Sequence, residues 1–121
     1  MPVRALRGAT TLDVDAPDHI RERVKALMAA LYERNDLDND QLISVLVTGT
    51  SDIRTFHPVT AAREFGLDDV PLLGAQELEI EGTLARCVRV LLHVETDRPR
   101  SELRHVFLEG AVALRPDLTD D

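Results

Sequence analysis

The stretch CVRVLLHVETDRPRSELRHVFLEGAVALRPDL, residues 87–118, decides the fold, because it opens with a strand that has apolar side chains on both faces. Successive side chains of a strand point to opposite faces, so alternation separates two sets. One face takes Val88, Val90, Leu92 and Val94, and the other takes Cys87, Arg89, Leu91 and His93. A buried cation without a partner is costly, so Arg89 requires a counter-charge. Either a carboxylate of the protein, in a structural ion pair, or an anionic ligand could supply it.

The composition predicts a single domain, residues 1–121, with an aliphatic core. Hydrophobic residues make up 44% of the chain but aromatic residues only 3%. The net charge of −8 argues against a nucleic-acid partner, which would require a basic face. One cysteine excludes an intrachain disulfide and a multi-cysteine metal site. No run resembles a signal peptide or is long enough to span a bilayer, which predicts a cytoplasmic protein without a membrane partner.

The rest of the chain alternates strands with two helical segments. A long helix is predicted to start within residues 13–18, where Asp15 can cap it and Pro17 suits its first turn. Its buried stripe recurs at helical spacing and comprises Ile20, Val24, Leu27, Met28 and Leu31. A short helix is predicted at residues 58–65, ending at Gly66. Further strands are predicted at residues 3–9, 42–48, 70–73 (interrupted by Gly74) and 106–108, with an extended segment at 76–80.

These elements predict an α/β or α+β fold with a mixed β-sheet, because the spacing of strands and helices is not that of regular βαβ units. One long and one short helix are too few to cover both faces of a five-stranded sheet. The uncovered face predicts self-association of the protein.

The candidate site consists of arginines and one carboxylate. The sequence contains no nucleophile triad, no glycine-rich phosphate loop and no histidine pair at metal-ligand spacing. The residues available are Arg7, Arg63, Arg89, Arg115 and Glu77. Such a set could clamp a small dicarboxylate or stabilise charge that develops during a reaction. Residue pattern alone does not separate binding from catalysis, and for Arg63 it favours a solvent-exposed helix position.

A resemblance to a known enzyme family bears on the choice between binding and catalysis. The segments VRALRGATT, VPLLGAQELEIEGTLARCVRVLLHVETD and SELRHVFLEGAVALRPDL resemble the small AroH-type chorismate mutases, from residue 3 to residue 118. The resemblance implies a homotrimeric pseudo-α/β barrel with active sites at the subunit interfaces. It implies rearrangement of chorismate to prephenate in the synthesis of Phe and Tyr, with no metal and no organic cofactor.

The resemblance also implies roles for individual residues. Arg7 matches an arginine that binds a substrate carboxylate, Glu77 a glutamate that pairs with the substrate hydroxyl, and Arg89 an arginine that contacts the ether oxygen. Arg63 and Arg115 match arginines near the mouth of the family's site. The other positions that line the substrate match His57, Leu73, Gly74, Ala75, Gln76 and Phe107.

Three of these positions depart from the family pattern. The family often has an aromatic residue at His57, a cysteine or another small polar residue at Gly74, and a tyrosine at Phe107. The departures bear on efficiency more than on the reaction, because Arg7, Glu77 and Arg89 occur together. The alternative function is a non-catalytic trimeric protein that binds a small anionic metabolite on the same scaffold.

Overall fold

The computed structural model describes residues 1–114, which form a five-stranded sheet and two α-helices. The strands are β1 (Val3–Thr11), β2 (Leu42–Gly49), β3 (Leu72–Gln76), β4 (Cys87–Glu95) and β5 (Val106–Phe107), and the helices are α1 (Pro17–Asn35) and α2 (Pro58–Phe65). Three short 3-10 helices lie at Asn39–Gln41, Arg100–Glu102 and Glu109–Ala113. None of the helices within residues 1–114 is both long enough and apolar enough to cross a membrane.

The sheet is mixed, as predicted, and β4 lies at its centre. The strand order is β3-β2-β4-β1-β5. The central strand runs antiparallel to both of its neighbours, β1 and β2, whereas the two outer pairs, β2 with β3 and β1 with β5, are parallel. Charged residues on β4 therefore have a neighbouring strand on each side, β1 and β2.

Both α-helices contribute to a core on one face of this sheet. The predicted alternation of β4 is confirmed, since Val88, Leu92 and Val94 are fully buried in this core. The predicted α1 stripe is buried against the same face and comprises Ile20, Val24, Leu27, Met28 and Leu31. The opposite face, which carries Arg7 and Arg89, is here called the open face.

Gly8 shows how closely α1 approaches the sheet. A Cβ added at Gly8 would lie 2.9 Å from Leu31 Cδ1 and 3.2 Å from Leu27 Cδ1. These short contacts are with side-chain ends, so a side chain at Gly8 would force Leu27 and Leu31 to repack in the core between α1 and β1.

Three details of the predicted elements were wrong. Asp15 does not cap α1, because Ala16 is the N-cap without a side-chain hydrogen bond and Asp15 instead contacts a distant loop. Gly74 does not interrupt a strand but lies in the middle of β3, since β2 supplies the ladder of hydrogen bonds. β5 ends at Phe107 rather than at residue 108, while the predicted extended segment at 76–80 contributes only Gln76 to a strand.

Candidate active site

The strand register aligns several of the candidate residues in one row across the open face. Residues that pair directly on neighbouring strands project to the same side of a sheet. The row runs from β5 to β3 through Phe107, Ala9, Arg89, Thr48 and Ala75. The next row on the same face contains Arg7, Leu91, Leu46 and Leu73. Arg7 and Arg89 therefore lie on adjacent strands, one row apart.

Glu77 is the counter-charge of Arg89 in this chain. It follows β3 directly, and its amide donates a hydrogen bond to the carbonyl oxygen of Gly49 (3.0 Å). Its Oε1 lies 3.1 Å from Arg89 Nε, and its Oε2 accepts a hydrogen bond from Thr48 Oγ1 at 2.8 Å. The two partners hold the half-buried carboxylate beside the arginine.

This ion pair does not satisfy Arg89 completely. The Nε–H does not point along the 3.1 Å line to Glu77, so the pair is close without an aligned hydrogen bond. Among residues 1–114, Arg89 Nε is a buried side-chain polar atom that has no hydrogen-bond partner. The Arg89 side chain is nevertheless 39% exposed, so the rest of its guanidinium group can donate to a ligand oxygen.

A cavity of about 200 Å³ connects the two arginines. Its lining includes Arg7, Leu46, Thr48, Arg89 and Leu91. Two guanidinium groups and one carboxylate give this small region a net positive charge, although the whole chain is acidic. Arginine forks bind carboxylates well, so the cavity favours an anionic ligand with an oxygen near Arg89.

A larger cavity of about 470 Å³ lies between β3 and the loop at residues 50–57 that leads to α2. It is lined by the predicted residues His57, Gly74, Ala75 and Gln76. The Nδ1 atom of His57 accepts a hydrogen bond from the amide of Val59, so the imidazole caps α2. A Cβ at Gly74 would lie 2.6 Å from Val59 Cγ2 and 2.7 Å from His57 Cε1, so this imidazole position requires glycine there.

The remaining predicted site residues lie in different environments and not in one cavity. Phe107 is buried and packs against Ala9 and Ala111, at the corner that the 3-10 helix Glu109–Ala113 covers. Leu73 is 64% exposed on the open face. Arg63 is exposed on α2 and lines neither of the two cavities. Arg115 lies outside the described residues.

Thr48 is a site residue that the sequence prediction missed. Alternation along β2 already placed it on one face with Leu46, but a threonine in a β-branched strand carries no chemical signal by itself. Its role becomes visible only through the register, which pairs Thr48 with Arg89 and brings its hydroxyl to Glu77.

Cys87 is a buried free thiol, as predicted. Burial raises the pKa of Cys87, and the nearby Arg89 guanidinium opposes that shift only in part. The thiol is therefore protonated at neutral pH and is a poor nucleophile. Within the part of the chain that the structure describes, no group of three or more His, Cys, Asp or Glu side chains could hold a metal ion.

Comparisons with known proteins agree with the resemblance. A family profile, Chorismate mutase type I, matches residues 3–118. Chorismate mutase AroH of Bacillus subtilis (strain 168) is 38% identical over 120 residues, which cover 98% of this chain and 94% of that protein. Chorismate mutase AroH of Thermus thermophilus is 41% identical over 117 residues, or 96% of each chain.

A solved structure is similar as well. Chorismate mutase from Clostridium thermocellum superposes with a TM-score of 0.88 at 35% sequence identity, covering 91% of this chain and 98% of that chain. Because the profile matches nearly the whole sequence and both AroH relatives exceed 30% identity over nearly its full length, this chain belongs to the type I chorismate mutase family.

Proposed function

We propose that this protein is a chorismate mutase, an isomerase that converts chorismate to prephenate by an intramolecular Claisen rearrangement. The observation that carries the proposal is the cavity that Arg7 and Arg89 line together, with Glu77 3.1 Å from Arg89 at its side. The reaction breaks a carbon–oxygen bond and makes a carbon–carbon bond, so negative charge grows on the ether oxygen. Arg89 is the residue that meets this charge.

The reaction fits a site without a nucleophile. A rearrangement within one molecule requires a compact substrate conformer rather than a covalent intermediate, and binding can hold that conformer. Arg7 binds one substrate carboxylate, and Arg89 stabilises the transition state as a preplaced cation that does not change its protonation state. Glu77, held by Thr48, accepts a hydrogen bond from the substrate hydroxyl.

The proposal includes a homotrimer with active sites at its subunit interfaces. The two arginines lie on the open face, whereas Gly74 faces His57 and Val59 on the other side of β3. A second copy that contributes its α2 residues, His57 and Arg63, would enclose the small cavity of the first. We place the enzyme in the cytoplasm, in the synthesis of Phe and Tyr.

A spectrophotometric assay of chorismate loss with the purified protein tests the proposal. We expect saturable turnover, with prephenate as the product, and a large loss of turnover in the Arg89→Ala variant. If chorismate binds in calorimetry but is not converted, the alternative function as a binding protein replaces this one. If chorismate neither binds nor reacts, both functions are wrong.

A further inference from the structure

Asp15 reaches across the molecule from the β1–α1 connection to the loop at residues 50–57. Its Oδ2 accepts a hydrogen bond from the amide of Arg54 at 3.0 Å. Its Oδ1 accepts from the amide of Thr55 at 3.2 Å and from Thr55 Oγ1 at 2.8 Å. Three donors from two successive residues therefore converge on one carboxylate that is about 40 positions away in sequence.

This loop forms one wall of the 470 Å³ cavity. Arg54, Thr55, Phe56 and His57 all line that cavity, opposite Gly74 and its neighbours on β3. No helix or strand stabilises residues 50–57. A segment of this kind keeps one conformation only when other groups satisfy its backbone donors.

Other contacts hold the ends of the loop and pack Ile53 against the core, but they do not satisfy the amides of Arg54 and Thr55. At the start, Asp52 accepts hydrogen bonds from the Arg86 amide (2.9 Å) and from Thr50 Oγ1 (2.5 Å). At the end, the Arg21 guanidinium lies 4.2 Å from the centre of the Phe56 ring. The amides of Arg54 and Thr55 lie between these contacts, and both of them bind Asp15.

We propose that Asp15 is a positioning residue of the active site, which holds the loop at residues 50–57 in the conformation that binds substrate. The inference deepens the proposed function and rests on it. Asp15 itself touches no part of the proposed substrate site. It acts through Thr55, Phe56 and His57.

The charge of Asp15 strengthens this role. Desolvation raises the pKa of the carboxyl, but hydrogen bonds from Thr55 and Arg54, together with the charge of Arg54, outweigh it and lower the pKa below its ordinary value. The carboxylate is therefore ionised at neutral pH. Hydrogen bonds to an ionised acceptor are stronger than those between neutral groups.

A loop that samples several conformations weakens binding in a characteristic way. The apparent dissociation constant rises in proportion to the inverse of the fraction that is competent to bind. The chemical step should be unaffected once the substrate is bound, because the hydrogen bonds of Asp15 go to Arg54 and Thr55 and not to Arg89 or Glu77. Loss of Asp15 should therefore raise KM and leave kcat nearly unchanged.

The experiment compares Asp15→Asn with Asp40→Asn in the otherwise intact protein. Asp40 is a matched control, because its exposed side chain lies in the 3-10 helix Asn39–Gln41, which belongs neither to the loop nor to the contacts that anchor it. We expect Asp15→Asn to raise KM for chorismate about tenfold, the scale of one hydrogen bond to a charged group, with kcat within about threefold. Amide hydrogen exchange should accelerate at Arg54 and Thr55 without acceleration in β4, whereas Asp40→Asn should match the parent.

Three results would overturn the inference. One is an unchanged KM despite faster exchange at Arg54 and Thr55, which would mean that loop order does not control binding. The second is exchange at these two amides that stays as slow as in the parent. The third is a parallel fall of kcat and thermal stability, which would make Asp15 a purely structural residue. An inactive parent protein would instead refute the proposed function.

Discussion

Arg89 combines a central position in the sheet with a guanidinium group whose hydrogen-bond donors are not all paired. It lies on the central strand, it is paired with Glu77, and its buried Nε–H still lacks an aligned acceptor. A group that is preplaced for charge in the transition state lowers the barrier more than it strengthens substrate binding. The link between this residue and the reaction is therefore a cation whose position the sheet and Glu77 fix before substrate binds.

The first prediction concerns the substitution of Arg89. Arg89→Ala should lower kcat by ~10²–10³, the typical cost of removing one electrostatic donor to a developing oxyanion. Arg89→Lys should also be impaired, because an ammonium group keeps the charge but loses the planar fork. Steady-state kinetics and thermal unfolding of both variants, measured side by side, separate catalysis from folding. If folded Arg89→Ala converts chorismate within a few-fold of the parent, the proposed mechanism is wrong.

The second prediction concerns Thr48, whose hydroxyl donates to Glu77 at 2.8 Å. Thr48→Val preserves the shape of the side chain and its β-branched preference for a strand but removes the donor. We expect kcat/KM to fall by about three- to tenfold, the range of one ordinary hydrogen bond, with little change in unfolding temperature. Thr10→Val is a useful control, since Thr10 is a buried threonine on β1 that does not contact Glu77. Equal losses in the two variants would contradict a specific role for Thr48.

At the scale of elements, the contact between β3 and α2 depends on the pair Gly74 and His57. The imidazole caps α2 through Val59 and occupies the space where a side chain at Gly74 would lie. The residues at these two positions are therefore sterically coupled. A ring that serves as the helix cap leaves no room for a Cβ on the facing strand.

The third prediction tests this dependence with a double-mutant cycle. Gly74→Ala alone should destabilise the protein by about 1–3 kcal/mol, since the added methyl overpacks the contact. His57→Ala alone should cost about 0.5–2 kcal/mol through loss of the cap. The double variant should lose less stability than the sum of the losses in the two single variants, because removal of the imidazole relieves one of the two clashes at Gly74→Ala. Denaturant unfolding at one fixed protein concentration gives the four free energies.

Gly49→Ala is the matched control for that cycle. A Cβ at Gly49 would make only ordinary contacts, 3.4 Å from Ile53 and 3.7 Å from Pro58, and none with His57. It should therefore cost less than Gly74→Ala and show no coupling to His57→Ala. Strict additivity of Gly74→Ala and His57→Ala would refute the steric link between β3 and α2.

The elements also show which parts of the molecule the sequence could predict. Burial on one face imposes a two-residue period on β4 and a helical period on α1, so both could be read from apolar spacing alone. The roles of Asp15 and Gly74 could not be predicted in this way. A carboxylate before a helix fits a cap as well as it fits a loop anchor, and only the fold brings Arg54 and Thr55 within its reach.

The candidate site divides in the same way. A charged residue in an apolar strand identified Arg89 as unusual, the residue pattern placed Arg7 and Glu77 among its candidate companions, and the resemblance gave each of them a role. Thr48 depended on register, which a single sequence does not specify between distant strands. The contact of Glu77 with both Arg89 and Thr48 is therefore a product of tertiary structure.

At the scale of the whole molecule, the open face still exposes apolar side chains. Leu46 and Leu73 lie on it at 37% and 64% exposure, and the segment after β3 exposes Leu78 and Ile80 at 84% and 59%. Exposed apolar surface of this extent is typical of a protein that associates with itself. The arginine cavity opens on the same face, so association would also complete the site.

The last prediction is that the protein is a trimer and that activity depends on it. Light scattering should give a mass about three times that of the chain. Leu78→Glu should dissociate the assembly, because a charge would be desolvated in an apolar interface, and it should abolish turnover while each chain stays folded by circular dichroism. Val14→Glu places the same charge on an exposed residue before α1 and should leave both mass and activity unchanged. A fully active monomer, in the parent or in Leu78→Glu, would show that one chain suffices and that the active site does not lie between subunits.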